Sequence, residues 1–165
     1  MTFDEVIAHL EARFLDAICE VRCALGETTI LVRAERIRDV CAVLKSELGF
    51  NYLVDIAAVD RFTSEERFEL VYNLLALAHG LRLRLKVRCE ESHPVVPSIT
   101  AVYPNANWHE REAWDMMGIR FEGHPDLRRI YMPEDFRYHP LRKDFPLLGI
   151  PGSLPLPEKP EASRN

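Results

Sequence analysis

The chain has 165 residues, 47% of them apolar and 28% charged, which suits one compact domain with a sizeable core and excludes a disordered polymer. A formal net charge of −5 and a sequence pI near 5.7 leave it no general attraction for nucleic-acid phosphates or anionic lipid. Cys19, Cys23, Cys41 and Cys89 match neither a zinc ribbon nor a redox pair, since Cys19 and Cys23 are separated by three residues instead of two. Reduced, inert, partly buried thiols are expected. Asp4, Glu5 and Glu11 stand where a signal peptide would carry basic residues and an apolar core, and no run approaches the ~18 apolar residues of a membrane span. The chain is therefore expected to be cytosolic in character, reaching a membrane only through a partner.

In chain order, Thr2 and Glu5 have the spacing of a capping box, and Phe3, Val6, Ile7, Leu10, Phe14 and Ile18 recur at helical spacing behind it. Residues 28–33 are short and β-branched, with Gly26 just ahead as a turn, so they read as a strand paired with a poorer one near 20–25. Over 36–48, Ile37, Val40, Cys41, Leu44 and Leu48 form a second helical stripe, closed by Gly49. Residues 51–59 and 67–77 are almost wholly apolar and predict inner strands; 82–89 alternate, with odd positions facing a core and even positions facing water or a partner. His93 to Pro97 reads as an extended crossing, after which Ser98 can cap a short helical turn. Asn107 is then placed to cap a third helix, with Glu110 three residues on, and Gly118 to stop it in the left-handed conformation. The fold class expected is α+β: a mixed or antiparallel sheet of about four to five strands with two helices on one face, a third helix and a long ordered C-terminal loop segment. The organisation expected is a scaffold over 1–104, a helix and loop of the same domain over 105–146, and a Pro-rich tail over 147–165.

Residues 107–144 have the most ordered residue choices in the chain. A metalloprotease would need a second His four residues after His109, and that position is Ala113. Glu110, Glu112 and Asp115 offer carboxylates for acid/base work, but Arg111 lies four residues before Asp115, the spacing of a helix-surface ion pair. A nucleic-acid face would need aromatic residues among Arg82, Arg84, Lys86 and Arg88, and that strand has Leu and Val instead. In the loop, Arg120, Arg128, Arg129, Arg137, Arg142 and Lys143 nearly balance Glu122, Asp126, Glu134, Asp135 and Asp144, while Pro125, Pro133, Pro140 and Pro146 stiffen the backbone. Dense, balanced charge on a stiff backbone suits a preorganised protein-docking surface. Charge reversal at Arg128 and Arg129 is expected to leave the domain folded and weaken assembly.

The run from Glu110 to Ile119, then Phe121, then Gly123 to Ile130, then His139 to Pro146 closely resembles the signature of the C-type subunit of the proton-pumping NADH:quinone oxidoreductase, respiratory complex I, the 30 kDa subunit family. The resemblance implies a non-catalytic component of the hydrophilic arm that binds no metal, flavin, iron–sulfur cluster or quinone itself. FMN and iron–sulfur clusters belong to partner subunits, and the nearest partner is the D-type subunit. It also implies a peripheral position on the cytoplasmic side of the bacterial inner membrane. Motif positions are matched by Glu110, Arg111, Glu112, Asp115, His124, Arg128, Arg129, His139, Arg142, Lys143 and Asp144, for which docking and loop-fixing roles are expected. Trp114 stands where the family more often has Tyr, and the tail is shorter than in many members. Related subunits serve membrane-bound nickel–iron hydrogenases and other quinone-reducing complexes.

Overall fold

A computed structural model describes residues 1–62, 65–147 and 149. Helix α1 spans Phe3–Phe14, and its capping box is formed: Glu5 N–H donates to Thr2 Oγ1 at 3.3 Å and Thr2 N–H to the Glu5 carboxylate at 2.8 Å. The helical stripe read from the sequence runs too far, because Ile18 opens strand β1, Ile18–Ala24. β2 is Glu27–Val32, and after a 3-10 turn at Ala34–Arg36 comes helix α2, Ile37–Ser46. Gly49 is left-handed, at φ +68°, as its position after the helix requires.

Strands β3 (Tyr52–Asp60), β4 (Phe68–Ala76) and β5 (Leu81–Cys89) complete a five-stranded sheet of order β1-β2-β5-β4-β3. The β2–β5 pair is parallel and the others antiparallel, so the sheet is mixed. One expectation is corrected: β4 is an inner strand but β3 is an edge. Its apolar character has a different origin, since Tyr52, Val54 and Val59 are exposed, while Leu53 and Ile56 reach the core.

Helices α1 and α2 cover one face of the sheet. Val6, Leu10 and Phe14 from α1 and Ile37, Val40, Cys41 and Leu44 from α2 share one core with Leu83, Leu85 and Val87 of β5 and Leu70, Tyr72 and Leu74 of β4. The even positions of β5 face the other way, and three of them, Arg84, Lys86 and Arg88, find partners within the sheet. Lys86 Nζ lies 2.7 Å and Arg88 Nε 3.0 Å from the carboxylate of Glu69, and Arg84 Nη2 lies 2.8 Å from Glu27.

Ser98 accepts the Thr100 N–H, and the chain makes the expected turn, with Tyr103 N–H donating to Ile99 O at 2.8 Å. Helix α3, Ala106–Met117, follows beside β3. On either side of it lie two three-residue strands too short to leave a period in the sequence. β6 (Val95–Pro97) pairs in parallel with β7 (Arg120–Glu122), joining Val95 to Arg120, Val96 to Phe121 and Pro97 to Glu122. Arg38 of α2 clamps this ladder by donating to Ser98 O at 2.8 Å and Glu122 O at 2.9 Å. Over 123–147 the chain has no further helix or strand, and most of the Pro-rich tail lies outside the described residues.

Candidate functional site

Helix α3 begins two residues earlier than a cap at Asn107 implied. The N-cap is Asn105, which makes no side-chain cap bond because its amide donates to Leu53 O of β3 at 2.9 Å, tying the helix to the sheet edge. Asn107 and Glu110 therefore lie inside the helix, and no capping box forms. At the far end Gly118 adopts φ +78°, and its N–H returns to Trp114 O at 2.8 Å. A Cβ at Gly118 would sit 2.5 Å from Arg142 Nη2 and 2.7 Å from the His139 ring, so glycine also makes room for two loop side chains.

Those side chains serve the helix terminus. The last carbonyls of an α-helix lack intrahelical donors and carry partial negative charge. Here Arg142 Nε donates to Met117 O at 2.6 Å, Leu141 N–H donates to Met116 O at 3.1 Å, and His139 Nδ1 meets Asp115 O at 2.9 Å. The loop thus caps the helix that precedes it.

Asp115 is the second pin. Its buried Oδ2 accepts the N–H groups of Ile130 at 3.1 Å, Tyr131 at 2.8 Å and Met132 at 3.0 Å, while Oδ1 pairs with Arg129 Nη1 at 2.5 Å. Burial raises its pKa, but the amides of Met132 and Tyr131, the Arg129 guanidinium and the Ile130 amide together outweigh this and hold the carboxyl below the ordinary carboxylate range. The expected Arg111–Asp115 surface pair is not made. Both residues are buried, and Arg111 instead donates to Arg128 O at 3.0 Å and Arg129 O at 3.3 Å while stacking on Trp108. Arg129 is likewise enclosed, over Trp114 and Phe136, so reversing its charge strikes the inside of the loop and not its surface.

Glu110 is fully buried. Its Oε1 accepts the Ile99 N–H at 2.7 Å, whereas Oε2 has no hydrogen-bond partner among the described residues. Burial pushes its pKa up to about 7, against the opposing pull of Ser98, the Ile99 amide and the charge of Arg38. His124, whose side chain is enclosed, places Nε2 4.0 Å from Glu110 Oε2.

A third pin escaped the sequence reading. Arg67 is buried and pairs through Nη2 with Asp60 at 2.8 Å and Asp144 at 2.9 Å, and through Nη1 with Glu91 at 2.5 Å. Asp60 Oδ2 also accepts the Lys143 N–H at 2.8 Å, so the end of the loop is fastened to the sheet. Hydrogen bonding to Arg67, aided by the amides of Lys143 and Phe62 and opposed by burial, lowers the Asp60 pKa to about 2. No local spacing could have revealed this, because Arg67 and Asp144 lie 77 positions apart.

Of the motif residues, Arg111, Asp115, His124, Arg129, His139 and Arg142 are thus engaged in holding the loop's shape, while Glu110 holds the turn ahead of α3. Glu112, Arg128, Lys143 and Asp144 are exposed, Asp144 while bound to Arg67, and Trp108, Tyr131, Tyr138 and Leu141 are exposed as well. Among the described residues no group of three or more His, Cys, Asp or Glu is arranged to hold a metal ion, and none of the helices is long and apolar enough to cross a membrane. All four cysteines are free. Cys41 and Cys89 are buried, with burial raising both thiol pKa values, whereas Cys19 and Cys23 are exposed along edge strand β1, which corrects the expectation that all are partly buried.

Fold and site together define an α+β module that carries a long irregular segment on internal ion pairs. The chain belongs to the family described as respiratory-chain NADH dehydrogenase, 30 Kd subunit, whose model matches residues 30–150. It is 50% identical over 149 residues to the NADH-quinone oxidoreductase C 2 subunit of Rhizobium etli (strain CIAT 652), covering 89% of this chain and 79% of that one. It is 44% identical over 146 residues to the NADH-quinone oxidoreductase C-type subunit of Geotalea uraniireducens (strain Rf4), covering 88% and 89%. Among solved structures it is similar to the trypsin-resistant fragment (1-134) of Nqo5, with TM-score 0.68 and 34% identity over 77% of this chain and 100% of that one. It is also similar to a chain of the membrane-bound sulfane sulfur reductase, an archaeal respiratory membrane complex, with TM-score 0.75 and 27% identity over 88% and 86%.

Proposed function

We propose that this chain is a non-catalytic structural subunit of the hydrophilic arm of NADH:quinone oxidoreductase, supporting electron transfer from NADH to quinone coupled to proton translocation. The observation that carries this is the division of labour within the motif. Its buried members and Asp144 fix the loop from inside, leaving Glu112, Arg128 and Lys143 exposed, on a segment that also exposes Tyr131, Tyr138 and Leu141. A rigid surface of mixed charge and apolar anchors loses little entropy on docking and suits bidentate pairing across an interface. The partners are the D-type subunit and other hydrophilic-arm subunits, which carry the FMN and iron–sulfur clusters. The chain then sits peripherally on the cytoplasmic side of the bacterial inner membrane, held there through the complex. The names of its relatives support this reading.

Similarity to a chain of an archaeal respiratory membrane complex favours a second reading, an equivalent subunit of a related membrane-bound complex such as a nickel–iron hydrogenase. Purification of the tagged chain from native membranes tests both. Co-purification with a flavin-containing subunit and NADH:quinone reductase activity is expected, whereas recovery with a hydrogenase centre selects the second reading. Recovery as a free monomer from intact membranes overturns both.

A further inference from the structure

The hydrogen bonds around His124 assign its neutral form. Nδ1 accepts the Asp126 N–H at 3.0 Å, so the ring proton lies on Nε2 and is donated to Asn107 O at 3.3 Å. That same Nε2 stands 4.0 Å from Glu110 Oε2, the carboxyl oxygen with no partner of its own. Both side chains are enclosed, so water does not screen their interaction as it would at a surface.

We propose that Glu110 and His124 form a proton switch between α3 and the docking loop. With Glu110 protonated, the His124 Nε2–H stays on the Asn107 carbonyl. With Glu110 ionised, the orphan oxygen competes for that N–H and draws the ring, and the loop backbone that Asp126 ties to it, toward the helix. The ring itself stays neutral in both states, and the only proton exchanged with solvent is the one on Glu110.

The surroundings set both groups. Against Glu110 lie the Ser98 hydroxyl and Ile99 amide of the preceding turn, Arg38 of α2, and the buried Cys41 and Tyr72, whose own ionisation its charge opposes. The Tyr72 hydroxyl is also buried without a hydrogen-bond partner among the described residues. Around His124, burial and the charge of Arg111 lower the ring's pKa, against Asn107 O and Asp126. With the carboxyl raised to about 7, both states are populated near neutrality. This switch goes beyond the docking role and does not depend on which partner the loop meets.

The test uses the full chain with 15N-labelled histidine, followed by NMR from pH 5.5 to 8.5. The His124 Nε2–H resonance is expected to shift with a midpoint near 7 while both ring nitrogens keep neutral-tautomer shifts, and E110Q is expected to abolish that step. A His124 resonance that does not move, that moves identically in E110Q, or that reports ring protonation overturns the proposal. If E110Q fails to fold, the glutamate carboxyl carbons of the unaltered chain decide. One titrating between pH 6 and 8 in step with the His124 signal supports the switch, and midpoints all below 5.5 refute it.

Discussion

Asp60 and Glu110 are both buried carboxyl groups, and their surroundings push them in opposite directions. Asp60 has a guanidinium and two amides aimed at it, which favour the anion. Glu110 accepts from one amide and is fully buried, and the loss of water favours the acid over the pull of Ser98 and Arg38. The sign of the pH dependence follows from each. The Asp60 pKa is depressed to about 2, so the stability it contributes is complete above the unfolded value near ~4 and is lost as pH falls toward 2. The Glu110 pKa is raised to about 7, so its contribution is complete below the unfolded value near ~4.3 and is lost as pH rises toward 7. Urea unfolding from pH 2 to 8 is therefore expected to show D60N flattening the acid limb and E110Q flattening the limb between 4.5 and 7. Each limb's unfolding constant changes by up to about tenfold per pH unit in the unaltered chain. Neither environment was readable in advance. Glu110 sits in a stretch of charged residues that reads as helix surface, and Asp60 ends an apolar strand with nothing nearby to name Arg67 as its partner.

Among the elements, α1, α2 and β5 were legible because a period of 3.6 or 2 written over a full element leaves little choice of face. The β3 edge was not, since apolarity reports which residues meet other side chains and not whether a second strand lies alongside. β6 and β7 are three residues each and carry no period. The α3 cap was read at Asn107 and stands at Asn105, whose side chain is drawn to the β3 backbone, a long-range bond that no local spacing announces. Gly118 was read correctly for its conformation but not for its second duty, making room for Arg142 and His139. Gly118→Ala is accordingly expected to cost more than the ~1 kcal/mol of a left-handed alanine, as a lower thermal midpoint with faster amide exchange over 139–142. Asp115→Asn leaves Arg129 enclosed without its counter-charge and weakens acceptance from three successive amides. A loss of about 3 kcal/mol in urea unfolding is expected, with exchange at Ile130, Tyr131 and Met132 rising first.

At the scale of the whole molecule, a net charge of −5 coexists with a basic strand whose Arg84, Lys86 and Arg88 are already paired to Glu27 and Glu69. That face has few uncommitted cations to offer a polyanion. The loop's charges separate in the same way into spent and available ones. Arg128→Glu removes only an exposed pair with Asp126 and is expected to leave the thermal midpoint within about 0.5 kcal/mol of stability while reducing recovery with partner subunits. Arg129→Glu opposes buried Asp115 and is expected to lower stability of the isolated chain itself. Equal effects of the two reversals on the isolated chain would contradict this division. The sequence placed both arginines in one docking list because adjacent loop residues carry no record of which side faces inward.

The parallel β6–β7 ladder has a mechanical consequence. Its strands are the entry to and exit from the segment that contains α3, and Arg38 rivets them to α2, so the helix hangs in a closed noose whose knot is held by α2. A tug on the C-terminal stretch by a neighbouring protein is borne first by the Lys143 and Asp144 fastenings to Asp60 and Arg67 and by the His139, Leu141 and Arg142 caps on α3, and the rivet at Arg38 keeps the loaded helix from swinging away at its base.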